Sequence, residues 1–331
     1  MIGANIPAPP AAAGVSGSTG SVDNAILRAD GTGGATLQNS AIVIDDATTS
    51  TQNNVAITNQ HTGQTNSALV LSPKGNGALI IGPKPDGTTT GGNARGANAI
   101  DLQSRVFGGS ATTIASGVYS FVAGLSNTAS GNTAVAIGFN CSSTGIRAFS
   151  LGENNQSSAD NSFIAGGISN TSSGIYSGIL SGQQATSDRR GMQAHSSGRF
   201  AANGDAQRAR FVLRCKTTTN TGVEMALDGS TTYLGIPSGK IIACTINITG
   251  TKSDGSAVAH YLRQYCVKNV GGTSTEVYAP VTIGTDNAAG TTIALSANNT
   301  DDTLRILVTG VASETWRWVA SVDAVEVAYG T

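Results

Sequence analysis

Between Phe107 and Thr186 the hydrophobic and polar positions recur every fourteen residues: ASGVYSFVAGLSNT, from Ala115, is followed by ASGNTAVAIGFNCS, STGIRAFSLGENNQ and SSADNSFIAGGISN. Gly124, Gly138, Gly152 and Gly166 fall in one column, and Phe107, Phe121, Val135, Phe149 and Phe163 in another. Two residues further along stand Ala123, Ile137, Leu151 and Ala165. A fixed period of this kind has to be read before anything else. Its seven-residue half could belong to a coiled coil, but glycine at every seventh position would cost a helix about 1 kcal/mol each time. Phe121 and Ala123 alternate with Ser120 and Val122, which is the period of a strand. Each row therefore predicts two short strands and two tight turns, with glycine where the chain bends through positive φ. Stacked rows give a β-roll whose interior is the Phe/Val and Ala/Ile/Leu columns. So thin an interior asks for a partner surface, most simply identical chains around an axis. The glycine column slips by two residues between Gly166 and Gly182, which predicts a bulge or longer turn near Ser172–Gly174.

The pattern changes on both sides of the repeat. Residues 23–106 hold short aliphatic runs such as AIVID, ALVLS and ALIIG between turn clusters such as DGTGG and PKGNG, and no Phe, Tyr or Trp precedes Phe107. Strands so short build no core in one chain, so a slender shaft shared by three chains is expected. Residues 218–331 alternate β-forming runs (KIIACTINITG, AHYLRQYCVKN, TLRILVTG) with Gly/Asn/Asp turns at about ten-residue spacing, the pattern of a β-sandwich or jelly roll. Trp316 and Trp318 share one face of a strand, either in the core or trimer interface or as an exposed sugar-stacking pair. Residues 187–217 carry seven of the nineteen Lys and Arg residues. They read as a neck whose arginines pair with Asp188 and Asp205 across subunits or cover neighbouring carbonyls, or as a basic collar for acidic polysaccharide. Residues 1–22, rich in Pro, Ala, Gly and Ser, are expected to be extended and unstructured alone, and either to order on docking to a larger particle or to be a tail without a role.

Composition narrows the class. Charged residues make up 12% of the chain, against about a quarter in globular proteins. A net charge of −1 argues against a basic nucleic-acid binder. No apolar run reaches the length of a membrane helix, and the opening MIGANIPAPPAAAG does not read as a secretory signal. The four cysteines have no C-x-x-C spacing and no clustered histidines, so buried free thiols are expected rather than a metal site, with a Cys244–Cys266 bridge the disfavoured alternative.

The fourteen-residue rows resemble the repeats of trimeric autotransporter adhesin heads (YadA-type), and more closely those of bacteriophage tail fibres, particularly of phages infecting cyanobacteria. DNAILRADGTGGATLQNSAIVIDD (Asp23–Asp46) resembles the DNAIVRFDGTTG…QNSGVTIDD segments of phage fibre shafts. Asp188–Thr218, with the closing TWRWVASVDAVEVAYGT, resembles the head domain that ends many such fibres. The resemblance implies an all-β, elongated homotrimeric fibre. Its parts are an N-terminal anchor (1–22), a β shaft (23–106), a β-roll or β-helix of fourteen-residue repeats (107–186), a neck (187–217) and a C-terminal, jelly-roll-like β-sandwich head (218–331). It implies a virion protein of the tail that docks on tail or baseplate proteins through residues 1–22. The head would then attach to host glycan or lipopolysaccharide outside the cell. A head fibre or capsid decoration, and a bacterial trimeric adhesin, are the alternatives; the absence of export and membrane-barrel segments counts against the adhesin. On-axis histidines bind metal in some trimeric phage fibres, but His61 in a turn is expected to be solvated.

Little in the sequence asks for catalysis. Glycosidases need two carboxylates about 5–10 Å apart, whereas Glu153 and Asp160, seven residues apart, fall on opposite sides of the roll. His61, His195 and His260 are scattered, and no G-x-S-x-G, H-E-x-x-H or P-loop occurs. The expectation is a binding protein and no enzyme, with no cofactor, metal or catalytic residue. Recognition is assigned to turns at the free tip of the head, Lys252, Asp254, Asn298, Asn299, Asp301 and Asp302. Three heads per trimer would then turn weak contacts into firm attachment.

Overall fold

The computed structural model describes residues 25–30, 36–46, 55–59, 71, 73–104 and 110–329. The chain divides into two units, Met1–Ser72 and Pro73–Thr331. In the first, β1 (Ala25–Asp30), β2 (Thr36–Asp46) and β3 (Val55–Asn59) form an antiparallel sheet in that order. The proposed anchor (1–22), His61 and Phe107 lie outside the described residues.

The second unit is all-β, and no helix occurs among its described residues. It opens with β4 (Leu79–Ile81) and β5 (Ile100–Ser104). Next come the long strands of the rows, β6 (Phe121–Leu125), β8 (Val135–Phe139) and β10 (Phe149–Glu153). Between them lie the two-residue strands β7 (Thr128–Ala129), β9 (Ser142–Ser143) and β11 (Gln156–Ser157). The rows continue through β12 (Phe163–Ile164), β13 (Thr171–Ser172), β14 (Gly178–Ile179), β15 (Thr186–Ser187) and β16 (Gln193–His195). The result is a parallel β-solenoid of about five turns, as the glycine-punctuated pattern predicts. Its larger sheet begins at β4, which pairs in parallel with β5, and β5 pairs in turn with β6, so the coil starts well before residue 107.

The solenoid is turned inside out relative to expectation. Val122, Ala136, Ser150, Ile164 and Ile179 are fully buried, facing Ala129, Ser143, Ser157, Ser172 and Ser187 of the opposite sheet. The column Phe121, Val135, Phe149, Phe163 points outward, half-buried, with Phe163 37% exposed. Ala123, Ile137 and Leu151 accompany it. A coil closing within fourteen residues has room inside for methyl and hydroxyl groups, not for phenyl rings. The buried hydroxyls satisfy one another and the backbone, with Ser143 to Ser150 at 2.6 Å and Ser172 to Ser177 at 2.9 Å. At one corner Asn155 donates Nδ2 to the carbonyls of Leu151 and Gly167 and accepts from the Asn170 N–H, and Asn170 repeats the pattern one row on.

Gly124, Gly138 and Gly152 have φ of 112–118°, but Gly167 rather than Gly166 continues them. Gly138 has no room for a side chain, because a Cβ there would lie 2.0 Å from the Gly152 carbonyl oxygen. The two-residue slip is two single insertions at the ends of β12 and β14, not a bulge at Ser172–Gly174: Glu153 pairs with Ile168 and Ile168 with Gln183, each fifteen residues on.

The head grows from the same sheet. β17 (Ala206–Thr217) pairs antiparallel with β16. Then follow β24 (Trp316–Ala328), β19 (Lys240–Lys252), β20 (Val258–Val270) and the edge strand β21 (Thr273–Thr282), thirteen strands in all. A separate sheet of β18 (Gly222–Glu224), β23 (Thr303–Thr309) and β22 (Thr292–Asn298) supplies Leu304, Ile306 and Val308 to the core that covers the inner face. Long strands of the solenoid's own sheet thus stand where a free-standing jelly roll was expected. Trp316 and Trp318 are core residues, stacked at 5.7 Å, with Trp318 Nε1 donating to Thr217 Oγ1.

Candidate host-surface interface

Strand alternation gives the thirteen-stranded sheet two faces of different chemistry. The inner face closes the coil and the head core. The outer face carries the Phe/Val column and Leu180 (71% exposed) along the coil, and in the head Val212, Val319, Val325 and Val327 interspersed with Arg208, Arg210 and Asp323. The outward positions of the five-stranded sheet are Thr128, Ser142, Gln156, Thr171 and Thr186, all polar. Parallel sheets are normally covered on both faces, and here one outer face has the composition to be covered while the other has the composition to meet water.

Where coil and head meet, the outer face forms a groove of about 260 Å³ lined by Phe163, Leu180, Gln193, His195, Arg208 and Arg210 among others. Arg208 and Arg210 both pair with Asp323 of the adjoining strand. That contact holds the Asp323 carboxyl below the usual range, the Arg208 hydrogen bond being the largest cause. The His195 ring Nδ1 lies 3.0 Å from the Ser181 carbonyl oxygen.

The basic stretch lies where the coil's sheet passes into the head. Arg189 sits beneath the junction and reaches the fully buried Glu326 at 2.5 Å, whose other oxygen accepts from Lys240 and Gln207. Asp205 accepts from the N–H groups of Phe200, Ala201 and Ala202 and so closes a turn. Arg214 donates to the Asp228 carbonyl. Within one chain Arg189 also reaches its neighbour Asp188, at 3.0 Å.

The two loops assigned to recognition do not converge. Lys252 bridges Glu314 at 2.9 Å, and Asp254 accepts from Ser256 in its own turn. At the other end of the strands, Asn298 donates to Asp301 while Asn299 and Asp302 both accept from Ser274. Ser274 pairs with Asn269, at the Ile241 end of β19. Ten residues of strand separate the two loops, roughly 33 Å at about 3.3 Å per residue. Both lie at strand ends, on the flanks of the sheet; its last strand is β21. Sequence reasoning missed this because it could not see that head strands run crosswise to the stack of rows.

The cysteines are free. Cys244 pairs in register with Tyr265, so Cys244 and Cys266 point to opposite faces. Burial pushes the Cys215 and Cys244 thiols up to about 12. Glu153 and Asp160 occupy different corners of the coil, and among the described residues no group of three metal-ligating side chains occurs. Glu224 has its carboxyl raised by burial, against the opposing pull of Arg305 at 3.1 Å.

No family model and no curated protein matches this chain. Among solved structures it is similar to a tailspike protein of Acinetobacter baumannii bacteriophage Fri1, described as a capsular polysaccharide depolymerase (12% identity, TM-score 0.26, 75% of this chain and 44% of that one). It is also similar to the tailspike of Acinetobacter phage vB_ApiP_P1 (13% identity, TM-score 0.23, 63% of this chain and 51% of that one). The chain thus spans about half the length of these proteins. The expectation of a chain that is no enzyme does not survive, because a match described as a depolymerase stands against it. A likeness of this size places no substrate and no catalytic residue on this chain.

Proposed function

We propose that this chain is a subunit of a homotrimeric phage tail appendage that attaches the virion to a host surface glycan or lipopolysaccharide. Residues 1–22 dock on tail or baseplate proteins, and the solenoid and head form the part that meets the cell. The observation carrying the proposal is the two-faced solenoid: one outer face of the coil is apolar from Phe121 to Leu180, the other is lined with hydroxyl and amide groups. Three copies packing their apolar faces around a common axis would bury it and leave the polar faces outward. The resemblance of Asp23–Asp46 and Asp188–Thr218 to phage fibre segments supplies the virion context.

Sedimentation equilibrium tests the assembly, and retention of the full chain on a printed array of bacterial capsular polysaccharides and lipopolysaccharides tests the attachment. A trimer that Phe149→Asp or Leu151→Asp converts to monomer is the expected result, with at least one glycan retained by the wild type. A wild-type monomer, or a trimer that holds no glycan, overturns the reading.

A further inference from the structure

One corner of the solenoid is built against its own backbone preference. Each row turns there through one residue in the left-handed region: Tyr119, Thr133, Arg147, Asn161 and Tyr176, all at φ of 56–59°. Glycine and asparagine suit that conformation, and bulky residues in it are outliers. The same strained conformation at the opposite corner is filled by Ser126, Asn140, Asn154, Ser169 and Gln184, none of them aromatic. The column itself is bracketed by Asn98 and Gly191, so the fold accepts small residues at this corner as well. Yet Tyr119 and Tyr176 stand in it 63% and 56% exposed, beside the exposed Val118 and Ile175. Neither stability nor solubility asks for tyrosine at these positions, and strain that the fold does not need points to function.

We propose that this corner is a glycan-binding ridge, with Tyr119 and Tyr176 as stacking platforms for a linear, polyhydroxylated polysaccharide lying along the coil. The inference rests on the attachment reading above and moves recognition from the head loops to the flank of the solenoid. Four rows separate the tyrosines, about 19 Å at roughly 4.8 Å per row, so the site spans several sugar units. Between them lie planar polar groups of the kind that pair with vicinal hydroxyls: Arg147 donates to Asn161 Oδ1, and Asp160 accepts from the Ile146 N–H. At the far end the Arg190 guanidinium lies 4.9 Å over the Tyr176 ring and holds it in place. Tyrosine offers a wide, rigid, amphipathic face at low entropic cost. The charges on the ridge are of both signs and already partnered, which suits a neutral polyol better than a polyanion.

The test is Tyr119→Asn with Tyr176→Asn in the full-length protein, on the same array of capsular polysaccharides and lipopolysaccharides. Because asparagine fits the left-handed conformation, the double variant should melt higher by roughly 2–4 °C and keep the wild-type sedimentation, while glycan retention falls at least tenfold. Tyr119→Phe with Tyr176→Phe should keep most of the retention. Retention unchanged in the asparagine variant overturns the ridge and leaves the attachment reading standing. Loss of the oligomer in that variant also overturns it, by showing the tyrosines to be subunit contacts. A wild type that holds no glycan removes both.

Discussion

Replacing Arg189 with methionine should destabilise the junction of coil and head by about 3–5 kcal/mol, the usual cost of taking the partner from a buried charge. Glu326 is fully buried, with Arg189 at 2.5 Å on one oxygen and Lys240 at 3.2 Å and Gln207 at 2.9 Å on the other. Lys240 remains in the variant, which places the loss toward the lower end of that range. The guanidinium also lies 4.8 Å over the Phe211 ring, a contact of about 0.5–2 kcal/mol that a thioether replaces only in part. Urea unfolding followed by tryptophan fluorescence reads the effect directly, because the chain's two tryptophans, Trp316 and Trp318, are both buried in the head. Protein concentration is held constant so that subunit association does not enter the comparison. The decisive arm is the double variant Arg189→Met with Glu326→Met. A buried ion pair exchanged whole for apolar side chains of similar size is often neutral, so the double variant should recover most of what the single one loses. A single variant within about 1 kcal/mol of wild type, or a double variant whose losses simply add, would refute the clamp.

Three further outcomes follow from the same geometry. Gly138→Ala should cost about 2 kcal/mol or more, because its Cβ would meet the Gly152 carbonyl at 2.0 Å with φ at +118°, whereas Thr133→Asn should gain about 1 kcal/mol by relieving a β-branched residue in left-handed backbone; calorimetry of the two variants checks the opposite signs. Asp228 accepts from the Thr232 N–H and hydroxyl and from the N–H groups of Ser230 and Thr231, which depresses its pKa. The stability this gives is fully present above the ordinary aspartate value and is lost as pH falls toward the depressed one, so the melting-point gap between wild type and Asp228→Asn should close in acid. Cys215 and Cys244, with thiols pushed up to about 12 by burial, should resist an aromatic disulfide reagent at pH 8 until urea unfolds the chain, and all four thiols should then react.

The fold class was legible because its signal is chemical as well as periodic: glycine at Gly124, Gly138 and Gly152 marks positive φ, and period-two alternation marks strands. The fifteen-residue rows were not, since Gly166 and Gly167 are adjacent and only the ladder shows which one carries the turn. Nor was the continuity of coil and head, because the pairing of Gln193 with Arg210 and of Arg210 with Asp323 joins residues far apart in sequence. The non-glycine residues of the left-handed corners were missed too. Tyr119 and Tyr176 do not advertise their conformation, although their alignment with Asn161 and Gly191 at row spacing was the available signal.

The reversal of the repeat's two faces has a general cause. Alternation states that Phe149 and Ser150 point opposite ways; it does not state which way is in. A globular core is deep enough to make the larger apolar residue the inner one, since burial of a phenyl ring contributes about 2–3 kcal/mol. A coil that closes in fourteen residues sets its two sheets so near each other that Ser150 meets Ser143 at 2.6 Å. A ring placed inside would have to force the sheets apart and break the carbonyl contacts of Asn155 and Asn170 at the corner. Volume therefore overrides hydrophobicity: methyls and hydroxyls fill the inside, and the rings lie on the outside, with Phe149 in register with Phe163 and Val135. What the single chain cannot bury by folding is left on one face of the coil.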